Sequence, residues 1–351
     1  MANPLSQDLD HVLAHTADVW KDLAGTRIFV TGGTGFFGCW LLESFAWASD
    51  RLQLGSSMTV LTRSYQSFRT KAPHLAFHPA IRFVEGDVNH FDHVDGPFSH
   101  VIHAATPASA ALNQQDPLAM LDTIVGGTRR VLDFAVSCGA RKFLLTSSGA
   151  VYGKQPSSLA GVPETFAGTP DTMNPQSAYA EGKRVAEFLC AVYAKKFGLE
   201  TKIARCFAFT GPYLPLDAHF AAGNFIQDQL RGGPIEICGD GTPRRSYLYA
   251  ADLAIWLWTI LCNGRSCRPY NVGSDEVVAI AELAAAVASL RPGVAVRIAK
   301  TAVPGAPVER YVPDVTRARA ELNLAQTVSL ADGVRRTSEW AAGRAVPGVN
   351  L

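Results

Sequence analysis

Along the first 210 residues, short apolar runs alternate with longer stretches of helical period. Between about Leu5 and Leu23, apolar side chains fall at Leu9, Val12, Leu13, Val19 and Leu23, a spacing that predicts one short amphipathic helix. Compact apolar runs follow at 27–31, 58–62, 81–84, 100–103, 142–146 and 200–205, and helical patterns occupy about 37–48, 119–137 and 178–196. This alternation predicts parallel βαβ units: an α/β fold with a doubly wound, Rossmann-like sheet and its ligands at the carboxyl ends of the strands. Beyond Gly211-Pro212, prolines and glycines become frequent. Helices are predicted there near 218–232, 251–263 and 280–290, separated by short strands, which reads as a smaller, discontinuous α/β part.

Composition narrows the partners. With 48% hydrophobic residues the chain can bury a large core, and its net charge of +1 offers no broad attraction to nucleic acid or anionic membrane. No apolar run reaches the roughly 18 residues of a membrane span. The polar first 23 residues lack the layout of a signal peptide. Seven cysteines, an odd number without a CxxC pair, read as small buried hydrophobes in a reducing compartment, with no metal site. A cytoplasmic protein is expected.

The first strand runs directly into Gly32, Gly35 and Gly38, a GxxGxxG pattern that opens a helix. In that context Gly32 permits the tight turn, Gly35 lets a pyrophosphate approach the backbone, and Gly38 lets helix and strand pack closely. A dinucleotide cofactor is therefore expected. The chain divides on this reading into a helical extension (1–24), a dinucleotide-binding domain (25–210) and a mainly substrate-binding domain (211–351) with elements returning to the first. At the end of the second strand, Arg63 stands where an acidic residue would hydrogen-bond the ribose of NAD. An arginine there suits the 2′-phosphate of NADP, so NADP(H) is favoured, with NAD(H) the alternative. Asp87, after the third strand, suits the adenine amine.

Tyr179 and Lys183 lie four residues apart on one helix face. An ammonium so placed is expected to stabilise a tyrosinate and make Tyr179 an acid/base near neutral pH. Thr146-Ser147-Ser148-Gly149 closes the fifth strand, and the Ser148 hydroxyl can donate to a substrate oxygen beside Tyr179. The set fits hydride transfer at a carbon bearing an alcohol or ketone.

These motifs resemble the extended short-chain dehydrogenase/reductases, in particular the NAD-dependent epimerase/dehydratase family acting on nucleotide sugars. The resemblance runs from about Thr26 to Leu324 and includes the glycine motif, His103-Ala104-Ala105, the 147–153 segment, Tyr179 with Lys183, Gly211-Pro212 and the 244–252 segment. It implies that Phe36, Phe37, Val88, Ala104, Ala105 and Ser147 also meet the cofactor, and that Arg245, Arg310 and Asn224 hold the substrate phosphates. His219, in the expected substrate loop, is a further candidate. It implies too a homodimer formed by the 119–137 and 178–196 helices, where Leu121, Ile124, Val125, Val131, Leu132, Phe188, Leu189 and Val192 exceed the needs of one core-facing stripe.

Departures from the family are informative. Its dehydratases carry an acidic pair where this chain has Gly149 and Ala150, and its decarboxylases a glutamate near the same point. A frequent asparagine is replaced by Ile124, another by Ala208. Redox at one carbon remains: reduction of a nucleotide-activated 4-keto sugar is expected first, C4 epimerisation on retained NAD is the alternative, and a non-catalytic dinucleotide-binding regulator is a distant third.

Overall fold

The computed structural model describes residues 3–92, 94–106, 110–218 and 220–344. Its centre is a seven-stranded sheet in which every neighbouring pair is parallel. Strands β1 (Arg27–Thr31), β2 (Ser57–Thr62), β3 (Ile81–Glu85), β4 (His100–His103), β5 (Lys142–Ser148) and β6 (Glu200–Cys206) follow the six apolar runs. Across the sheet the order is Pro269–Val272, β6, β5, β4, β1, β2, β3. The chain reverses its winding between β1 and β4, and a crevice at that point is where doubly wound sheets bind ligands.

The Pro269–Val272 edge strand escapes the hydrophobic pattern, because four residues with polar Asn271 among them carry too little signal. Its place is set by register against β6, from Pro269 opposite Ile203 to Val272 opposite Cys206.

Helices cover both faces. On one, the Ala250–Asn263 helix is buried through all positions from Ala250 to Cys262, as an apolar-all-round sequence requires, and packs against the helix Phe36–Leu52. Trp258 donates to Ser44 Oγ at 2.9 Å, and its ring lies 5.0 Å from that of Trp20. On the other face, the Pro117–Ser137 and Ala178–Phe197 helices pack side by side. Of the cysteines, five are buried and Cys238 and Cys267 are exposed, which corrects the expectation of a uniformly buried set.

The amino-terminal segment forms two helices, α1 (Ser6–His15) and α2 (Ala17–Leu23), where one was expected. The break falls at Thr16, whose buried hydroxyl donates back to Val12 O at 2.6 Å and satisfies the carbonyl at the end of the first helix. Leu9, Val12, Val19, Trp20 and Leu23 are all buried in the main core. Asp8 is buried too: it accepts from the Tyr249 hydroxyl at 2.6 Å and pairs with Arg336. Replacing Asp8 by Ala leaves a tyrosine and an arginine without their acceptor. The expected loss is about 3 kcal/mol of unfolding free energy in urea denaturation, and a change below 0.5 kcal/mol would show the contact to be incidental.

Candidate active site

The loop after β1 shows why glycine stands at each motif position. Gly32 has φ +73°, and a Cβ there would lie 2.4 Å from the Ala104 carbonyl, so β4 approaches the loop as closely as backbone permits. A Cβ on Gly38 would meet Gly32 O at 2.3 Å, closing helix onto strand. Gly35 differs, since its nearest obstruction is Gly32 O at 3.3 Å and it caps the Phe36–Leu52 helix without a side-chain bond to the first-turn N–H groups. Protein packing requires Gly32 and Gly38. Gly35 is the least crowded of the three, and the first-turn N–H groups behind it suit a pyrophosphate. Phe36 and Phe37 start that helix, their rings 5.7 Å apart, and Phe37 also stacks edge-on against Phe209. They therefore wall the loop from the side of the 209–213 segment.

Other expected cofactor contacts sit along the same strand ends. Arg63 is exposed immediately after β2. Asp87 accepts from Asn89 N at 2.9 Å, a turn bond, and Val88 is buried against Gly127. Ala104 and Ala105 leave β4 with their N–H groups directed at Thr31 O and Thr31 Oγ1. His103, beneath them, is held between Thr31 Oγ1 (2.7 Å) and Thr128 Oγ1 (3.1 Å), and burial pushes its pKa down to about 3, so the ring is neutral.

Strand β5 reaches Ser148, two residues beyond the apolar run, and delivers its side chain to the sheet edge. Ser148 Oγ accepts from Ala150 N at 3.1 Å in the turn that follows and interacts with the Tyr179 phenol. Tyr179 opens its helix, its own N–H donating to Asn113 Oδ1 at 3.0 Å. Lys183 Nζ donates to Thr106 Oγ1 and to Thr146 O, both at 2.7 Å, and stands 6.0 Å from the Tyr179 ring centroid. Serine, tyrosine and lysine are thus gathered at one point.

The electrostatics differ from expectation. Burial raises the Tyr179 pKa above the ordinary phenol value, and only the Ser148 bond opposes it. The Lys183 ammonium makes its hydrogen bonds to Thr106 Oγ1 and the Thr146 carbonyl. Burial lowers Lys183 itself to about 8. It is mostly charged at neutral pH.

A buried polar network braces this edge from below. Glu187, on the Tyr179 helix, takes a paired contact from Arg205 of β6 (Nη2 to Oε2 2.6 Å, Nε to Oε1 3.0 Å) and a bond from Ser147 Oγ at 2.5 Å. Arg205 Nη1 donates to the Tyr152 hydroxyl at 2.9 Å, and that hydroxyl donates to Asn271 Oδ1 at 2.7 Å. Ser147, expected to touch cofactor, is committed to this network. The pairing of Glu187 with Arg205 was not read from sequence, since nothing local marks residues 18 apart as partners.

Positions 149 and 150 carry no acid or base, and the neighbouring carboxylates are engaged elsewhere. The Glu164 side chain is withdrawn from solvent, accepts from Asn271 N at 2.9 Å and faces Arg317 at 3.7 Å. Glu181 pairs with Arg184 at 3.5 Å. The space beside Gly149 is already filled: a Cβ there would meet the Phe207 ring at 2.7 Å and the Tyr311 hydroxyl at 2.8 Å. Ile124 packs against Gly182 on the Tyr179 helix.

A cavity lined by Lys154, Arg245, Glu309, Arg310 and Tyr311 adjoins this point. It brings together both arginines expected at the substrate phosphates. Arg245 Nη2 pairs with Glu309 at 2.5 Å, and Arg310 lies opposite Arg244 in a short parallel ladder. Asn224 is half-buried in the first turn of the Ala221–Arg231 helix, away from this cavity's lining. His219 lies outside the described residues. Tyr311 and Phe207 went unnoticed in the sequence; Tyr311 is the immediate neighbour of Arg310, and strand alternation there was the available signal.

The comparisons with known proteins agree with this fold. The model of the NAD dependent epimerase/dehydratase family matches residues 28–273. UDP-glucuronic acid decarboxylase 1 of Arabidopsis thaliana is 31% identical over 313 residues, covering 88% of this chain and 68% of that protein. UDP-glucuronic acid decarboxylase 5 of the same plant is 30% identical, covering 88% and 87%. Among solved structures, UDP-glucose 4-epimerase from Thermotoga maritima has a TM-score of 0.74 at 22% identity, covering 90% of this chain and 99% of that one. UDP-glucuronic acid 4-epimerase from Bacillus cereus has a TM-score of 0.75 at 23% identity, covering 90% and 98%, and shares the fold. Matched by the family model through its sheet and by relatives over most of its length, the chain belongs to the NAD-dependent epimerase/dehydratase family, a family of enzymes acting on nucleotide sugars.

Proposed function

We propose that the protein transfers a hydride at C4 of a nucleotide-activated sugar, reducing a 4-keto sugar with NADPH. The observation that carries this reading is the convergence of Ser148, Tyr179 and Lys183 at the end of β5, with no acid or base at positions 149 and 150. The dinucleotide that the Gly32–Gly38 loop would hold would supply the hydride. Tyr179 gives its proton to the alkoxide that forms at the sugar oxygen, and Ser148 donates a hydrogen bond to the same oxygen. Lys183 keeps a positive charge behind both, which favours the moment at which Tyr179 has lost its proton. Arg245, released from Glu309, and Arg310 would take the diphosphate, each suited to charge-assisted paired bonds. Arg63 would take the 2′-phosphate of NADP.

A second reading has its own support in the relatives named UDP-glucuronic acid decarboxylases. Oxidation at C4 of a glucuronate places the carboxyl β to a ketone. Carbon dioxide can then leave without an added acid/base pair.

One set of assays separates these readings. The purified protein is offered UDP-4-keto sugars with NADPH, UDP-glucuronate with NAD, and dTDP-glucose. NADPH consumption with the keto sugar and no 4-keto-6-deoxy product from dTDP-glucose is expected. Carbon dioxide from UDP-glucuronate would establish the second reading, and interconversion of UDP-glucose and UDP-galactose would establish epimerisation. In the same assays Arg63→Ala should weaken NADPH far more than NADH; equal effects would return the preference to NAD.

The pH dependence follows from Lys183. As pH rises through about 8 its ammonium is lost, and kcat/KM should fall about tenfold per unit. Stability should move the other way. The unfolded lysine binds its proton up to about 10.5, so between 8 and 10.5 the unfolded state holds more protons and rising pH favours the fold. A flat rate profile through pH 10 would remove Lys183 from the mechanism.

We further propose a homodimer, supported by an exposed apolar stripe of Val185, Phe188 and Val192 on the Tyr179 helix. Ile124, Val131 and Leu132, counted toward that face from sequence, are instead buried within the subunit. A monomeric mass by light scattering at micromolar concentration would reject the dimer.

A further inference from the structure

Beyond β6 the chain turns sharply at Gly211-Pro212-Tyr213-Leu214, where Leu214 N donates back to Gly211 O at 3.1 Å. Proline at the second position suits such a turn. The third position has φ +71°, a conformation that glycine adopts freely and a bulky residue rarely does. The residue there is Tyr213, and it is buried. Strain of this kind is accounted for when the side chain supplies contacts that glycine cannot.

The Tyr213 side chain makes such contacts. Its hydroxyl donates to Glu43 Oε1 at 2.5 Å, its ring lies 4.9 Å from that of Trp340, and the Lys71 ammonium stands 5.6 Å from the ring centroid. The carbonyl before it, Pro212 O, accepts from Trp40 Nε1 at 2.9 Å. Trp40 and Glu43 are three residues apart on the Phe36–Leu52 helix and so share a face. Both central residues of the turn are thus fastened to the helix that the glycine loop opens.

Glu43 is built to hold this tether. It is 2% exposed, and a carboxylate so deeply buried needs hydrogen-bonding partners. His74 Nε2 stands 2.8 Å from the oxygen that Tyr213 serves, and Asn3 Nδ2 donates to the other oxygen at 3.0 Å. The segment that leaves the turn runs toward the expected substrate contacts. Leu214 is buried in one apolar cluster with Tyr247, the second residue after Arg245, and Phe36 and Leu216 pack against that cluster. Pro215 O lies so near the Ala221–Arg231 helix that a Cβ on Gly223 would come within 2.3 Å of it. Movement of the turn therefore carries directly to the helix that holds Asn224.

We propose that Tyr213 is a positioning residue: through Glu43 it sets the 214–216 segment and the Asn224 helix relative to the cofactor helix, and so governs affinity for the nucleoside diphosphate part of the substrate. This assignment rests on the nucleotide-sugar reading above and adds to it a tether between the two ligand sites. Tyr213 acts through the turn and touches neither ligand. The dinucleotide's own affinity is therefore independent of the phenol, whereas that of the nucleotide sugar is not.

Calorimetric titration of the cofactor-loaded protein with UDP and UDP-glucuronate, beside separate titrations with NADPH and NAD, tests this without requiring turnover. Tyr213→Phe keeps the ring against Trp340 and removes only the hydroxyl. Tyr213→Gly relieves the backbone and removes the tether altogether. Both are expected to lose about 5-fold or more in affinity for UDP and UDP-glucuronate alike, while NADPH and NAD affinities stay within about 2-fold of wild type. Glu43→Gln, which keeps an oxygen to accept the phenol, is expected to bind UDP as wild type does. Thermal melting of each variant checks that the fold is retained. UDP affinity at the wild-type level in either Tyr213 variant overturns the assignment and leaves the nucleotide-sugar reading standing. Equal weakening of UDP and of the dinucleotides also overturns it, by showing general disturbance of the Phe36–Leu52 helix. Wild-type protein that binds neither UDP nor UDP-glucuronate overturns the UDP-sugar reading, and the Tyr213 assignment with it.

Discussion

The Arg205–Glu187 pair is the interaction on which the geometry of the site depends. It joins β6 to the helix that carries Tyr179 and Lys183, and through Ser147 it joins both to β5 and Ser148. Both charges are largely withdrawn from water, so their attraction alone would barely offset the cost of desolvation. What makes the arrangement sustainable is satisfaction of the remaining donors and acceptors: Tyr152, Asn271 and the Glu164 carbonyl complete it. Such a network tolerates little displacement, and hydride transfer needs reacting groups fixed to within a fraction of an ångström.

The same economy appears on the cofactor side. Gly32 and Gly38 are fixed by contacts inside the protein, against Ala104 and against the loop itself, whereas Gly35 is less crowded, with only Gly32 O at 3.3 Å. Three glycines in one motif therefore meet unequal packing demands. The distinction cannot be made from spacing alone. It needs the position of β4, which the winding of the sheet brings against the loop.

Features carried by contiguous residues were the legible ones. The strands β1 to β6, the glycine loop and the Tyr179–Lys183 pair each lie within one stretch of chain, where period and turn chemistry speak for themselves. The rest depends on contacts between distant segments. Glu187 meets Arg205 across a helix–strand connection, Tyr311 reaches Ser148 over 163 residues, and the Pro269–Val272 strand is defined by its partner. Lys183 shows a subtler limit. Its position relative to Tyr179 was readable, but its hydrogen bonds to Thr106 and Thr146 O, and the desolvation that governs both groups, depend on how deeply the helix is set.

The clasp between α1 and the Leu330–Arg344 helix bears on how the molecule is made. Asp8 and Arg336 are separated by 328 positions, and Tyr249, the third member, by 241 from Asp8. Loop-closure entropy must be met before such contacts return anything, which slows their formation. During synthesis the first helix emerges long before its partners exist. Leu9, Val12 and Trp20 then wait without the Ala250–Asn263 helix that later covers them, a nascent apolar surface in need of shelter until about 250 residues have been made.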